Sequence, residues 1–293
     1  MMPMKPSIMT RVYWRCYSWP GRTFHHTLPQ ILKRVAASGY EYVDLCEFPL
    51  EFWPIDLSTE DIEFLKKTLD SFGIQVSGIT MPTFAAGLEL LPSKKDRTFV
   101  VKRLKKAIET VSVLGGETVM YGICPRAVYG SSQKEAYRWT LNLFTECAPL
   151  AEEKDVSLAI EFVNTCFPTS SSIIKFLEKV GSRNVGLCLE VGNVRARPQK
   201  ETLMEHLERC GNWVKLVHVN DPANREWLET IGVNLPETFQ ALKNLRYEGP
   251  IVTESLKASI PCSELDAEAA RSVRYLKKML NTLFSSSNWN STE

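Results

Sequence analysis

The sequence predicts an α/β protein of the (β/α)8 barrel class, and three observations carry that prediction. Short runs rich in apolar and β-branched residues alternate strictly with longer amphipathic stretches, eight of each. The connections are lopsided: those from a helix into the next strand are terse and glycine-marked, whereas those leaving a strand are long. No G-x-G-x-x-G or P-loop opens any helical stretch, which counts against a doubly wound open sheet. At 293 residues, 44% hydrophobic and 24% charged, the chain is long enough to bury one barrel core.

Taken in order, the first strand is placed at residues 8–16 (IMTRVYWRC) and the first helix at 28–38. Strand two (EYVDLC, 41–46) leads to a helix over 59–72, and strand three (IQVSGIT, 74–80) to one over 97–114. In that third helix Phe99, Val100, Leu104, Ile108 and Val111 share one face, with Lys102, Lys105 and Lys106 mostly off it. Strand four (ETVMYG, 117–122) precedes helix 132–153, and strand five (VSLAIE, 156–161) precedes helix 170–180. Strand six (VGLCLE, 185–190) is followed by 200–210, strand seven (VKLVHV, 214–219) by 235–244, and strand eight (PIVTE, 250–254) by 265–283. Glycines in SGYE, SFG, LGGE, VGSRN, CGN and YEG are expected as left-handed helix caps. Residues 1–284 read as one domain and 285–293 as a polar tail.

Thirty-five basic residues against 34 acidic ones give a net charge of +1 with no block of either sign, so a nucleic-acid partner is not expected. The eight cysteines include no C-x-x-C pair. They read as small reduced hydrophobes, Cys188 among them, in a protein of the cytoplasm. The opening MMPMKPSIMTR lacks an apolar region with a cleavage site, and no run is long enough to span a membrane.

Four consecutive strands finish on groups able to bind a cation: Glu161, Glu190, His218 and Glu254. In a barrel the C-terminal ends of strands five to eight lie on one arc of one mouth, so these side chains converge. Singly, a strand-end glutamate is a solvated terminus or the partner of a nearby cation, and a strand histidine is a hydrogen-bonded core residue. Their coincidence on four successive strands points to a metal centre. Three carboxylates alone would repel and take up protons. A divalent cation relieves that conflict, and an oxygen-rich set with one imidazole suits Mn²⁺ or Mg²⁺, with Co²⁺ or Zn²⁺ as substitutes.

The series LAIEFVN, VGLCLEVGN, VKLVHVND and GPIVTES, with LKNLRYEGPI before the last, resembles the sugar phosphate isomerase/epimerase family, which has the xylose isomerase-like TIM barrel and includes D-tagatose and D-psicose 3-epimerases. The resemblance extends to ASGYEYVDL and KRLKKAIETVSVLGGETV and spans nearly the whole chain. It implies that Glu161, Glu190, His218 and Glu254 hold one divalent metal and that Glu161 and Glu254 are also the acid/base pair. It implies a ketose or related keto-sugar as substrate, handled through a metal-stabilised enediolate, and a homodimer or homotetramer. Arg225 falls close to a substrate-binding arginine of the family; a surface ion pair with Glu226 or Asp221 is the other reading. Asn164, Asn220 and Asp221 follow the ligand positions directly, where a supporting or substrate-binding role is expected. Trp14 and Trp19 after strand one, with Phe48, Phe52 and Trp53 after strand two, either wall a sugar pocket or cap the barrel mouth. His206 reads as an ordinary helix residue.

The sequence departs from the epimerase pattern in three places. Glu190 stands where Asp is usual, Asn193 replaces a histidine, and Phe167 occupies the position of a substrate-contacting glutamate. Different hydroxyl recognition is therefore expected. A metal-dependent lyase or dehydratase begins with the same proton abstraction, and a non-catalytic sugar-binding barrel is the third reading. The DNA-repair branch of the superfamily needs added histidines after strands three and four, and GITMPTF and MYGICP carry none.

Overall fold

Eight parallel strands, each paired with the next in the chain and the last with the first, close the sheet on itself in the computed structural model. The structure describes residues 4–16, 27–47, 52–82, 94–122, 132–161, 167, 169–192, 201–220, 228, 234–256 and 260–285. The strands are β1 Lys5–Met9, β2 Tyr42–Cys46, β3 Gln75–Met81, β4 Thr118–Tyr121, β5 Ser157–Glu161, β6 Val185–Glu190, β7 Val214–Val219 and β8 Pro250–Thr253. Among the described residues the helices are α1 Leu28–Ser38, α2 Thr59–Phe72, α3 Lys94–Val113, α4 Gln133–Glu153, α5 Ser170–Val180, α6 Leu203–Cys210, α7 Leu235–Asn244 and α8 Leu265–Ser285. The (β/α)8 class read from the sequence is the one observed.

Two hydrophobic layers follow from the strand pleat, whose side chains alternate between faces. One face packs on the helices, as with Val43, Leu45, Ile160, Leu187, Leu189 and Val217, all fully buried. The other fills the barrel with Met9, Cys46, Met120, Ala159, Cys188, Leu216 and Val252, which form a separate cluster. Seven strands contribute one residue each to that plug. Position two further along β5, β6, β7 and β8 is then Glu161, Glu190, His218 and Glu254, so the plug is the floor on which the mouth is built.

Three expectations need correction. Strand one does not extend over 8–16: β1 ends at Met9, and Thr10–Cys16 is a 3-10 helix. The Thr10 hydroxyl accepts the backbone N–H of Cys46 at 2.9 Å, standing in for a strand partner as the chain turns out of the sheet. Phe99 is 45% exposed. The stripe that faces the barrel is Val100, Leu104, Ile108 and Val111, and Phe99, one residue earlier, is rotated about 100° from it. Of the glycine caps, Gly39, Gly73, Gly115 and Gly181 are left-handed with φ between 64° and 92°. Gly211 instead has φ −56°, and a Cβ there would lie 2.2 Å from Leu245 Cδ1, so close packing fixes that glycine.

Beside β2 the aromatic pair cements the structure. Phe52 is buried, and Trp53 lies under the Arg103 guanidinium, 4.5 Å from ring centroid to Cζ. Arg103 forks onto both oxygens of Glu47 in a fully buried ion pair that ties α3 to the end of β2. Trp14 lies in the 3-10 segment, and its side chain, like Trp19 and Phe48, falls outside the described residues.

His206, read as an ordinary helix residue, does lie in α6, on its buried face. It is 1% exposed, and its Nδ1 lies 2.5 Å from the Ser170 hydroxyl at the start of α5. Glu201 accepts the Ser170 backbone N–H and hydroxyl, each at 2.7 Å, completing the joint between α5 and α6. Burial lowers the His206 pKa from 6.5 to about 4, against an opposing pull from Glu201. The unfolded chain therefore binds more protons than the folded one between those values. Stability from this group is complete above pH 6.5 and is lost as pH falls toward 4, a change of about 3 kcal/mol. Thermal melting across that range is expected to show a falling Tm in the parent protein and a shallower fall in His206→Gln.

Candidate metal centre

The four ligand candidates lie together at the C-terminal end of the barrel. Register sets Glu161 opposite Cys188 on β6 and Glu190 opposite His218 on β7. Glu254 follows β8 directly, its backbone N–H still bonded to Val219 O at 3.1 Å. Glu190 and His218 are fully buried, while Glu161 and Glu254 stand at the rim, half-buried.

Asn220 organises the carboxylates. Its Nδ2 donates to Glu190 Oε2 at 2.9 Å and to Glu254 Oε2 at 2.6 Å. Its Oδ1 accepts the Gly192 backbone N–H at 3.0 Å, which fixes the amide so that both side-chain hydrogens face the acids. A Cβ on Gly192 would sit 2.1 Å from Asn220 O and 2.5 Å from Oδ1, so only glycine allows this approach. Two other residues complete the set. Cys188 Sγ lies 3.6 Å from Glu190 Oε1, and Arg11, delivered by the 3-10 turn after β1, donates to Glu254 Oε1 at 2.5 Å.

The electrostatics are uneven around the mouth. Burial, then repulsion from Glu190 and Glu254, pushes the Glu161 carboxyl well above the ordinary carboxylate range. Burial and the neighbouring Glu254 do the same to Glu190. Glu254 is the exception: burial pushes it up, yet Arg11, His218 and Asn220 together hold it below its ordinary value.

Residues at the mouth could hold a metal ion, in a grouping that differs from the four expected ligands. Ligand atoms of Cys188, Glu190 and His218 all lie within 4.8 Å of one another, each residue buried. His218 Nδ1 is 2.7 Å from Glu190 Oε1, and its Nε2 is buried with no hydrogen-bond partner. An imidazole that donates from one nitrogen to a carboxylate keeps a lone pair on the other, which is the tautomer a metal takes. Cys188 was read from sequence as an inert hydrophobe, and its place beside Glu190 and His218 makes it a neighbour of the centre.

Of the other sequence candidates, Asn164, Asn193, Asp221 and Arg225 lie outside the described residues. Phe167 is 1% exposed and packs edge-on against Phe176 and Tyr137, with ring centroids 5.0 Å and 6.1 Å away. It faces the core between α4 and α5, not the mouth. Arg11 and Gly192 were missed. A charged residue two places after Met9 inside an apolar run was the available signal for Arg11; a glycine two places after Glu190 carried none that distinguishes it from a loop glycine.

A family model described as the xylose isomerase-like TIM barrel matches residues 32–279. The chain belongs to that family. This xylose isomerase-like barrel is 25% identical over 234 residues to the L-ribulose 3-epimerase of Methylomonas sp. (strain DH-1), a match covering 77% of each protein. It is 21% identical over 262 residues to the ketose 3-epimerase of Arthrobacter globiformis, covering 84% of each. Its fold is also that of the D-psicose 3-epimerase solved with D-tagatose from Clostridium cellulolyticum H10, with a TM-score of 0.74 at 18% identity over 94% of this chain and 99% of that one. Among the described residues no helix is long and apolar enough to cross a membrane.

Because burial and mutual repulsion raise the proton affinity of Glu161 and Glu190, protons and a divalent cation compete for the same oxygens. Mn²⁺ binding near neutral pH is expected to release protons, and affinity to fall as pH is lowered. Calorimetric titration in two buffers of different ionisation enthalpy measures the release. Affinity unchanged from about pH 8 to about pH 5 would contradict a carboxylate and imidazole ligand set.

Proposed function

We propose that the protein is a divalent-metal-dependent sugar epimerase that inverts a carbon next to the carbonyl of a ketose or related keto-sugar. The observation that carries this reading is the pair of rim carboxylates, Glu161 and Glu254, set on β5 and β8 with Glu190, His218 and Asn220 between them. The epimerase names of the relatives support it. We propose Glu161, Glu190, His218 and Glu254 as the metal ligands, with Mn²⁺ the best match to a set dominated by oxygen. The residues present suit such an ion: ligand atoms of Cys188, Glu190 and His218 lie within 4.8 Å of one another, and the buried His218 Nε2 has no hydrogen-bond partner. A divalent ion bound there supplies Lewis-acid polarisation of the sugar's carbonyl and neighbouring hydroxyl.

The residues of the chain then divide the proton work. Arg11 and Asn220 keep Glu254 ionised, which suits it to take the proton from carbon. Glu161, at the end of β5, is proposed to return one from the opposite face. Glu190 holds His218 through Nδ1 and is itself held by Asn220. Asn193, Asn164, Arg225 and Trp14 are proposed to contact the sugar. The substrate is proposed to be an unphosphorylated small molecule.

The test is proton NMR in D₂O of free ketoses, aldoses and inososes with Mn²⁺-loaded and EDTA-treated protein. Metal-dependent deuterium uptake at a carbon beside the carbonyl, with formation of the 3-epimer, is expected. Loss of water from the sugar would identify a dehydratase instead, and no exchange on any sugar would overturn the enzyme reading. Glu254→Gln keeps one acceptor oxygen, and so one of the two bonds from Arg11 and Asn220, but removes the base, so exchange is expected to fall by about 10²–10⁴-fold with the fold retained. Unchanged exchange in that variant would rule out Glu254 as the base.

A further inference from the structure

The mouth carries a cation of its own. Arg11 Nη2 donates to Glu254 Oε1 at 2.5 Å with 28% of its side chain exposed, and its charge is felt by Glu254, Glu190 and Glu161 together. The arginine is fixed from below. Met9, two residues earlier, is part of the barrel plug, and Thr10 is tied by its hydroxyl to the Cys46 backbone N–H. The guanidinium therefore enters the carboxylate ring at a set height. Its partner oxygen belongs to one of the four residues proposed to hold the metal.

We propose that Arg11 is the positioning residue of this centre: it orients Glu254 and supplies a resident positive charge that weakens the hold of the carboxylates on the divalent ion. The inference rests on the metal reading above. With Glu161, Glu190 and Glu254 all ionised around a bound divalent ion, the ion offsets two of their negative charges and the guanidinium the third. Without Arg11 the same carboxylates would face the ion with one charge in excess and no competitor for Glu254 Oε1. Like charges a few ångströms apart in a partly desolvated mouth interact strongly, so deleting one tightens the binding of the other. An arginine that merely braced the fold would have the opposite signature, because a loosened mouth binds its ion less well.

The experiment uses the full chain and Mn²⁺ alone, with free Mn²⁺ read by electron paramagnetic resonance during titration. Arg11→Met and Arg11→Gln are each expected to bind Mn²⁺ at least about tenfold more tightly than the parent. Arg11→Lys, which keeps the charge, is expected to stay within about threefold of it. Circular dichroism checks that each variant is folded, and the two neutral variants stand in for one another should either fail. Unchanged or weaker Mn²⁺ binding in a folded neutral variant overturns the proposal while leaving the metal centre intact. A parent protein that binds no stoichiometric Mn²⁺ overturns both.

Discussion

Three carboxylates forced into one barrel mouth are the constraint on which the rest of this structure depends. Glu161, Glu190 and Glu254 arrive there because β5, β6 and β8 are neighbours of β7 or of one another and all run the same way. Their repulsion in a site poor in water raises the cost of ionisation, and two of the three respond by favouring the proton. The third is kept charged by Arg11 and Asn220. One repulsive cluster thus yields two kinds of carboxyl, and a pair whose proton affinities are pushed apart is what acid/base chemistry on two faces of one carbon requires.

The barrel supplies that asymmetry through its packing. The plug of Met9, Cys46, Met120, Ala159, Cys188, Leu216 and Val252 is apolar and sits one pleat below the mouth. It denies the buried oxygens of Glu190 any solvent from beneath, so their partners are His218 and Asn220 from the sides and the thiol of Cys188 from the plug itself. Asn220 is in turn fixed by the Gly192 backbone, across a gap that a single methyl group would close. A backbone contact between the segments after β6 and β7 thereby decides where two carboxylates point.

Much of this was legible in the sequence, for a physical reason that also marks its limit. Period-two alternation in VGLCLE, VKLVHV and PIVTE tells which side chains share a face, and strict strand and helix alternation tells which ends share a mouth. That is enough to bring Glu161, Glu190, His218 and Glu254 to one place. The rule fails where the chain leaves the sheet. Arg11 lay inside a run read as strand, IMTRVYWRC, and only the turn at Thr10 brings its side chain to Glu254. Gly192 and Cys188 were opaque for a different reason, since a close backbone approach and a lateral contact between side chains depend on three-dimensional distance and leave no periodic trace. His206 escaped because helical spacing marks a face and cannot show that Ser170 will cover it.

Phe167 shows how the site and its surroundings part company. In the resembled epimerases that position carries a glutamate that meets the substrate, and a carboxylate there has to face the mouth. Here the side chain belongs to an aromatic cluster with Phe176, Tyr137 and Phe144, whose edge-on contacts bind α4 to α5. A glutamate could not take that place without burying a charge among rings. Phe167 is therefore anchored in the core at the position that the resembled enzymes use for recognition. The carboxylates and the imidazole are retained at the strand ends. That one residue exchanges a polar contact for a packed one, so whatever binds at this mouth meets no carboxylate from that position.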